Sequence, residues 1–290
     1  MAERLSLFMR TNRWIWPFLG VLILWIILAS LTARFSLHSL SGVAISASFL
    51  LLPALGKMLV ITTGKGNIDL SIPGVVTLSA YLSVYTATGS NTGFVVTLAV
   101  VSLIAGLIGL CNAILVLLLR IPAMIATLAT GYILATATLI VNSQIGLFTR
   151  PPALGFLAAG RIFGFPVICV LALVAVAATA LLLSRSAYGR KLFAVGQSAE
   201  AAYLTGIRVA PIIASTFVAS SVVSGLTGVL LSGYAGGAFL EMGTPYLLQS
   251  VGAVVLGGTL IAGGIATALG TLFGGMLLVM IVPTMQIAGL

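Results

Sequence analysis

Charge is spaced along this chain so that uncharged intervals recur at about the length of one membrane crossing, and that spacing leaves few folds open. A spanning helix needs about 20 largely apolar residues. Residues 14 to 33 supply one such interval. Residues 39 to about 63 supply a second, with Lys57 near its end and expected to snorkel outward. Positions 70 to 119 carry no charge and are interrupted by Gly89-Ser90-Asn91-Thr92-Gly93, a turn-like cluster that predicts two spans folded back on each other. Single spans are expected over 121 to 149, 162 to 184 and 209 to 240. The stretch 242 to 290 has room for two, with a break near Gly263-Gly264. The sum is about nine crossings. Only 6 % of residues are charged and the mean hydropathy is +1.26, whereas soluble domains carry roughly 25 % charge. The expected architecture is an all-α polytopic membrane protein, one transmembrane domain over residues 1–290 that takes the lipid bilayer as its solvent.

The net charge of +9 comes without a basic stripe interleaved with aromatics, so nucleic acid is not an expected partner. It reads as the Lys/Arg excess that orients membrane proteins. Arg4, Arg10 and Arg13 precede the first span and place the N-terminus in the cytoplasm. Even numbers of crossings then put Arg120, Arg185, Arg190, Lys191 and Arg208 inside, and odd numbers put Arg34, Arg150 and Arg161 outside. Lys57 and Lys65 stay unassigned. The first helix is expected to be retained, because residues 1 to 33 have no clean small-x-small cleavage site. Nine crossings leave Leu290 outside with no polar tail, so a tenth helix is expected beyond it.

Chemistry of the bond-breaking kind has little to work with. Cys111 and Cys169 lie in apolar runs without a CxxC, and the lone His38 with scattered Glu3, Asp69, Glu200 and Glu241 makes no local metal-ligand cluster. No cofactor is expected. An intramembrane protease would need a second acid or a Ser with a base beside it. No GxxxxGK[ST] occurs, so the chain has no phosphate-binding loop of its own.

Around Gly64-Lys65-Gly66-Asn67-Ile68-Asp69-Leu70-Ser71-Ile72-Pro73 the apolar pattern gives way to a polar turn and a fresh helix start. Ser71 or Asp69 is expected to cap the helix beginning near Pro73. Sixteen residues, Pro73 to Thr88, span about 24 Å, short of a full crossing, so the turn should lie below the membrane surface. An acidic residue there either caps the structure, with Lys65 as a partner, or meets a transported molecule. A second break, Glu241-Met242-Gly243-Thr244-Pro245-Tyr246, repeats the scheme of acid, glycine turn, proline and short helix. It suggests two weakly related halves, as many transporters have. Glycines such as Gly106, Gly109, Gly225, Gly228, Gly274 and Gly275 let helices approach closely.

The one long hydrophilic segment, residues 185–208, is expected to be a cytoplasmic loop. Within it Ser198 caps a short helix, Glu200 sits in its first turn and Gly206 stops it. A helix so short is not stable alone, so the loop is expected to be held against a soluble partner.

GNIDLSIPGVVTLSAYL (66 to 82), LRIPAMIATLATGYIL (119 to 134), YGRKLFAVGQSAEAAYLTGIRV (188 to 209) and AVVLGGTLIAGGIATALGTLFGG (253 to 275) resemble, in this order, the ribose-type permease subunits of bacterial ABC importers. Two features depart from the family: GKGNIDLS inserts Lys65 and Asn67 where GGIDLS or SGIDLS is usual, and relatives continue for another helix. The resemblance implies a type II-like importer fold in the bacterial inner membrane, taking up a small sugar or sugar-like solute. It implies as partners an ABC ATPase subunit, a periplasmic solute-binding protein and a second permease copy, as homodimer or sister subunit. Arg190, Lys191, Glu200, Ala201, Ala202, Leu204 and Gly206 would form the ATPase-coupling element. Asn67, Asp69, Asn112, Thr127, Thr130 and Asn142 are polar positions in apolar runs that either line the path or bond between helices. The alternative is an ion-coupled secondary transporter with Asp69 as proton carrier.

Overall fold

The structure, a computed structural model, describes residues 13–32, 37–144, 148–287 and 289. Arg4, Arg10, Arg34 and the chain end at Leu290 lie outside the described residues, as does the side chain of His38. Helices account for the fold: α1 (Ile15–Thr32), α2 (Leu37–Thr62), α3 (Ile72–Thr86), α4 (Asn91–Leu117), α5 (Ala123–Asn142), α6 (Pro152–Ala159), α7 (Val167–Arg185), α8 (Ala187–Gln197), α9 (Ala199–Leu204), α10 (Val209–Ala235), α11 (Tyr246–Leu256) and α12 (Ala268–Ile287). A two-residue hairpin, β1 (Arg161–Ile162) with β2 (Phe165–Pro166), turns the chain into α7. Among the described residues six helices are long and apolar enough to cross a membrane, and α1, α3 and α11 are shorter apolar helices. The expected polytopic all-α architecture is therefore present, with one apolar helix for each of the nine counted crossings.

One helix forms the axis. Of the most apolar stretch of α2, 78 % is buried, against 28 to 39 % in the other five long helices. The others show lipid-compatible side chains such as Leu103, Val174 and Leu181 on their outer faces. Lipid gives no hydrophobic drive between helices, so close backbone contact has to hold them. A Cβ on Gly56 of α2 would sit 2.7 Å from Ser220 Cα of α10, and one on Gly109 of α4 would sit 2.6 Å from the Phe217 carbonyl oxygen. One on Gly74 of α3 would meet the Gly131 carbonyl of α5 at 2.8 Å. Thus α10 is gripped by α2 and α4, and α5 by α3. At the flank, α1 lies on α12 through Phe18 and Phe273, edge to face at 4.9 Å.

Both ends of the bundle can be identified from contacts. At one end, Val60, Ala113, Ala123, Val195, Ala202 and Phe217 cluster, which gathers the end of α2, the α4–α5 link, the 185–208 loop and the start of α10. Arg13 joins this end by packing on Gly258. At the other, Arg150 donates to the Gly233 carbonyl at 3.0 Å and Asn91 accepts from the Ala153 amide. Arg13, Lys65, Arg120, Arg185, Arg190, Lys191 and Arg208 sit at the first end, and Arg150 and Arg161 at the second.

Candidate functional site

Where α2 ends, three consecutive residues take left-handed backbone: Gly64 (φ +77°), Lys65 (φ +55°) and Gly66 (φ +72°). This knuckle reverses the chain and delivers Asp69 to the interior with no solvent exposure. Its carboxylate accepts from the Ser71 amide at 3.0 Å, from Ser71 Oγ at 2.6 Å and, through its other oxygen, from Ser220 Oγ at 2.7 Å. Asn112 Nδ2 donates to Ser71 Oγ at 2.9 Å, and Thr127 Oγ1 accepts from the Leu70 amide at 2.9 Å. The turn is thereby tied to α4, α5 and α10. Three expectations change. Ser71 occupies the N-cap position of α3 without bonding the helix; its hydroxyl is drawn to the carboxylate. Asp69 closes a two-residue turn on Ser71 rather than capping the helix. Lys65 is exposed, and the hydrogen bonds of the Asp69 carboxylate go to serines instead.

Lys57 does not snorkel. It is fully buried, and Nζ donates to the Leu247 carbonyl at 3.1 Å, in the first turn of α11. Asp69 is the carboxylate that acts on it electrostatically. The end of α2 is no exit to water, because the loop packs over it. A fully buried lysine that ties α2 to the start of α11, within electrostatic reach of Asp69, is the missed feature. Its only sequence signal was a lysine a full turn inside a span.

Of the expected path residues, Asn67, Asp69, Asn112, Thr127 and Thr130 are buried and Asn142 is exposed. Asn67 Nδ2 donates to Thr63 Oγ1 at 2.9 Å, and Thr130 Oγ1 to the Ala126 carbonyl at 3.0 Å. These groups, Asn142 excepted, spend their hydrogen bonds within the protein. One atom is left over: Asn112 Oδ1 is buried without a partner.

The 185–208 loop forms two helices. Ser186 Oγ accepts from the Gly189 amide at 3.0 Å at the head of α8, and Ser198 Oγ from the Ala201 amide at 3.2 Å at the head of α9. Gly206 (φ +84°) ends α9, its amide donating to the Tyr203 carbonyl at 2.9 Å. Arg190, Lys191, Glu200, Ala201, Leu204 and Gly206 are exposed, while Ala202 is buried against the bundle. Tyr188 bonds Ser215 of α10 at 2.8 Å; burial raises its phenol pKa against the smaller opposing effect of that bond.

At the knuckle itself the loop comes closest through glycine. A Cβ on Gly64 would lie 2.8 Å from the Gly196 carbonyl and 2.9 Å from that of Ala262. One on Gly264 would lie 2.7 Å from Gln197 Cγ, and the Gly264 amide donates to the Thr62 carbonyl at 3.0 Å. Gly263 (φ +93°) and Gly264 (φ +75°) again need the left-handed region. At this junction the end of α8 touches both the turn before α3 and the link between α11 and α12.

An all-helical membrane bundle with two interrupted helices, a buried polar turn between them and an external helical loop keyed to that turn defines a transport protein of the permease class. The family described as branched-chain amino acid transport system / permease component matches residues 39–289, and the chain belongs to it. Among curated relatives it is 31 % identical, over 277 residues, to the autoinducer 2 import system permease protein LsrC of Escherichia coli O9:H4, covering 94 % of this chain and 80 % of that one. It is 30 % identical over 275 residues to the protein of the same name from Yersinia pseudotuberculosis serotype O:1b, covering 94 % and 78 %. No solved structure matches it.

Proposed function

We propose that this permease imports a small sugar or sugar-like solute across a bacterial inner membrane, driven by an ABC ATPase that grips the 185–208 loop. The basic end of the bundle faces the cytoplasm, as the excess of Lys/Arg there supports. A periplasmic binding protein delivers the solute to the opposite end, and a second permease copy, identical or sister, completes the path. The solute class rests on the relatives, whose names specify autoinducer 2 import.

The observation that carries the reading is the shape of the loop. Helix α9 presents Tyr203 and Leu204, 71 and 79 % exposed, beyond a capped start and a glycine stop. Apolar side chains of that size on a hydrophilic loop suit the cleft of a soluble partner. The chain has no phosphate-binding loop, so work arrives from outside. Closure of the ATPase pair pushes α9, and α8 passes the displacement to Gly196. There it reaches the Asp69 turn and the α11–α12 link together, and the short helices α3 and α11 tilt against the long ones. Alternating access follows as a shift between two packings of the bundle. Asn67, Asp69, Asn112, Thr127 and Thr130 hold the walls of that path in register, and Asn142 stands at its exposed margin.

Glu200→Arg combined with Gly206→Pro tests the docking. Proline cannot take the φ of Gly206, so the stop of α9 is lost along with the acidic first turn. The expected result is loss of ATPase copurification and an uptake of autoinducer 2 or ribose into proteoliposomes reduced at least tenfold, in a protein that still elutes as folded. An intact ATPase complex would refute the docking assignment. Uptake that follows an ion gradient and ignores ATP would replace the importer by an ion-coupled carrier.

A further inference from the structure

A cleft of about 280 Å³ opens beside the Asp69 turn, walled by Pro73 and Thr77 of α3, Leu128 and Tyr132 of α5, and Leu240 and Thr244 of the segment leading into α11. Its depth follows from α5. That helix has 20 residues, about 30 Å at 1.5 Å each, which matches the hydrocarbon thickness of a bilayer. Leu128 and Tyr132 lie near its middle, so the cleft is at mid-membrane. The α10–α11 connection reaches the same level, because the Gly243 amide donates to Thr77 Oγ1 at 2.9 Å.

Non-helical backbone at that depth is tolerated only when it is enclosed by protein or lines a wet cavity. This segment is not enclosed: Leu240, Glu241 and Thr244 are exposed, and Glu241 has no ion-pair partner among the described residues. Tyr132 is 69 % exposed, and its phenol finds no hydrogen bond among the described residues. Tyrosines that meet lipid belong at the interface, where the hydroxyl is wet. At mid-membrane, hydrocarbon would leave phenol, threonine hydroxyl and carboxylate unsatisfied. Water satisfies all three. A water occupies about 30 Å³ in the liquid, so the cleft holds several, or one small solute with a few.

We propose that this cleft is a hydrated passage site for a small polyhydroxylated solute, with the Tyr132 ring as platform for its C–H face and the Tyr132 and Thr244 hydroxyls as hydrogen-bonding rim. The site deepens the import reading above and rests on it. Its walls are mainly apolar with few polar groups and no buried charge aimed inward, which orients a solute without retaining it.

The test uses the full complex in membranes, in a Cys111→Ser, Cys169→Ser background, with single cysteines at Tyr132 or Thr244. Single cysteines at Leu103 of α4 and Leu173 of α7, which are exposed apolar positions, serve as lipid-facing controls. A charged, membrane-impermeant methanethiosulfonate reagent is expected to modify positions 132 and 244 at least tenfold faster than 103 and 173. Rates equal to the controls overturn the proposal, and a crosslink between two copies through position 132 would then assign the cleft to a permease–permease contact. Uptake adds a second readout. Tyr132→Ala is expected to lower ATP-driven uptake of ribose or autoinducer 2 at least tenfold with the ATPase still bound, while Tyr132→Phe, which keeps the ring, lowers it less than threefold. If uptake proves independent of ATP while positions 132 and 244 still label, the importer reading fails and the wet cleft stands. If uptake is ATP-driven and both positions stay unreactive, the cleft alone is wrong.

Discussion

Asp69→Ala is expected to remove at least nine-tenths of the folded protein from the membrane, measured by size-exclusion of a fluorescent fusion and by its thermal melt in detergent. The carboxylate satisfies the Ser71 amide, the Ser71 hydroxyl and the Ser220 hydroxyl, and it is the charge acting on fully buried Lys57. The two serine hydroxyls can turn to other acceptors. The buried Ser71 amide cannot, and Lys57 is left with its bond to the Leu247 carbonyl and no nearby carboxylate. Leaving a buried amide unsatisfied costs about 1–3 kcal/mol, and a buried lysine that loses the opposite charge near it adds to that, against the roughly 5–15 kcal/mol that holds a protein folded. Asp69→Asn also loses the charge but keeps the shape and an acceptor oxygen for the Ser71 amide, so it should cost less than Asp69→Ala. Lys57→Met with Asp69→Leu removes both charges and is expected to recover part of the loss. An Asp69→Ala protein that melts like the parent yet fails to transport would make the carboxylate a solute contact instead of a structural one.

Gly196→Val is expected to be nearly as severe, and more informative about coupling. A Cβ there runs into the Thr62 carbonyl oxygen and comes within 2.5 Å of the Gly264 amide nitrogen. Those atoms are backbone and hydrogen-bonded to each other, so neither can step aside without opening the junction. Overpacking a tight site costs about 1–3 kcal/mol when neighbours can adjust. Here the adjustment is displacement of α8 from the Asp69 turn. Uptake into proteoliposomes should fall at least tenfold, and ATP hydrolysis by the bound ATPase should cease to depend on solute delivery. Gly237→Val is the matched control, because a Cβ there meets nothing within 4 Å and its φ is not in the left-handed region. A Gly196→Val complex with undiminished, solute-dependent transport would show that α8 carries no signal through this contact.

Much of the fold was legible because hydropathy is local. The lengths of the uncharged runs set the helices, the polar clusters at residues 64–73 and 241–246 marked the breaks, and Ser198 with Gly206 delimited α9. What failed to read was partnership across the bundle. Lys57 looked like a residue near a span's end, free to reach water, because nothing nearby in sequence told of Gly196 and Gly264 closing over that end. The aspartate looked like a helix cap because Ser220, its second-oxygen donor, is 151 positions away. For Thr127 and Asn112 the sequence left two readings open, because polarity in an apolar run has the same signature whether the group faces a solute or a neighbouring turn; their bonds to the Leu70 amide and Ser71 Oγ come only from the fold.

By itself, then, the order of residues determined the solvent this protein folds in, the placement of its longer apolar helices and the places where they must break, since each follows from burying apolar length and satisfying backbone groups within a short window. Tertiary structure alone decided that a lysine and an aspartate share the interior, that four glycines from three distant segments meet at one junction, and that a cleft stays open at mid-membrane. Those depend on how closely two backbones approach, a distance governed by the absence of a side chain on both partners at once.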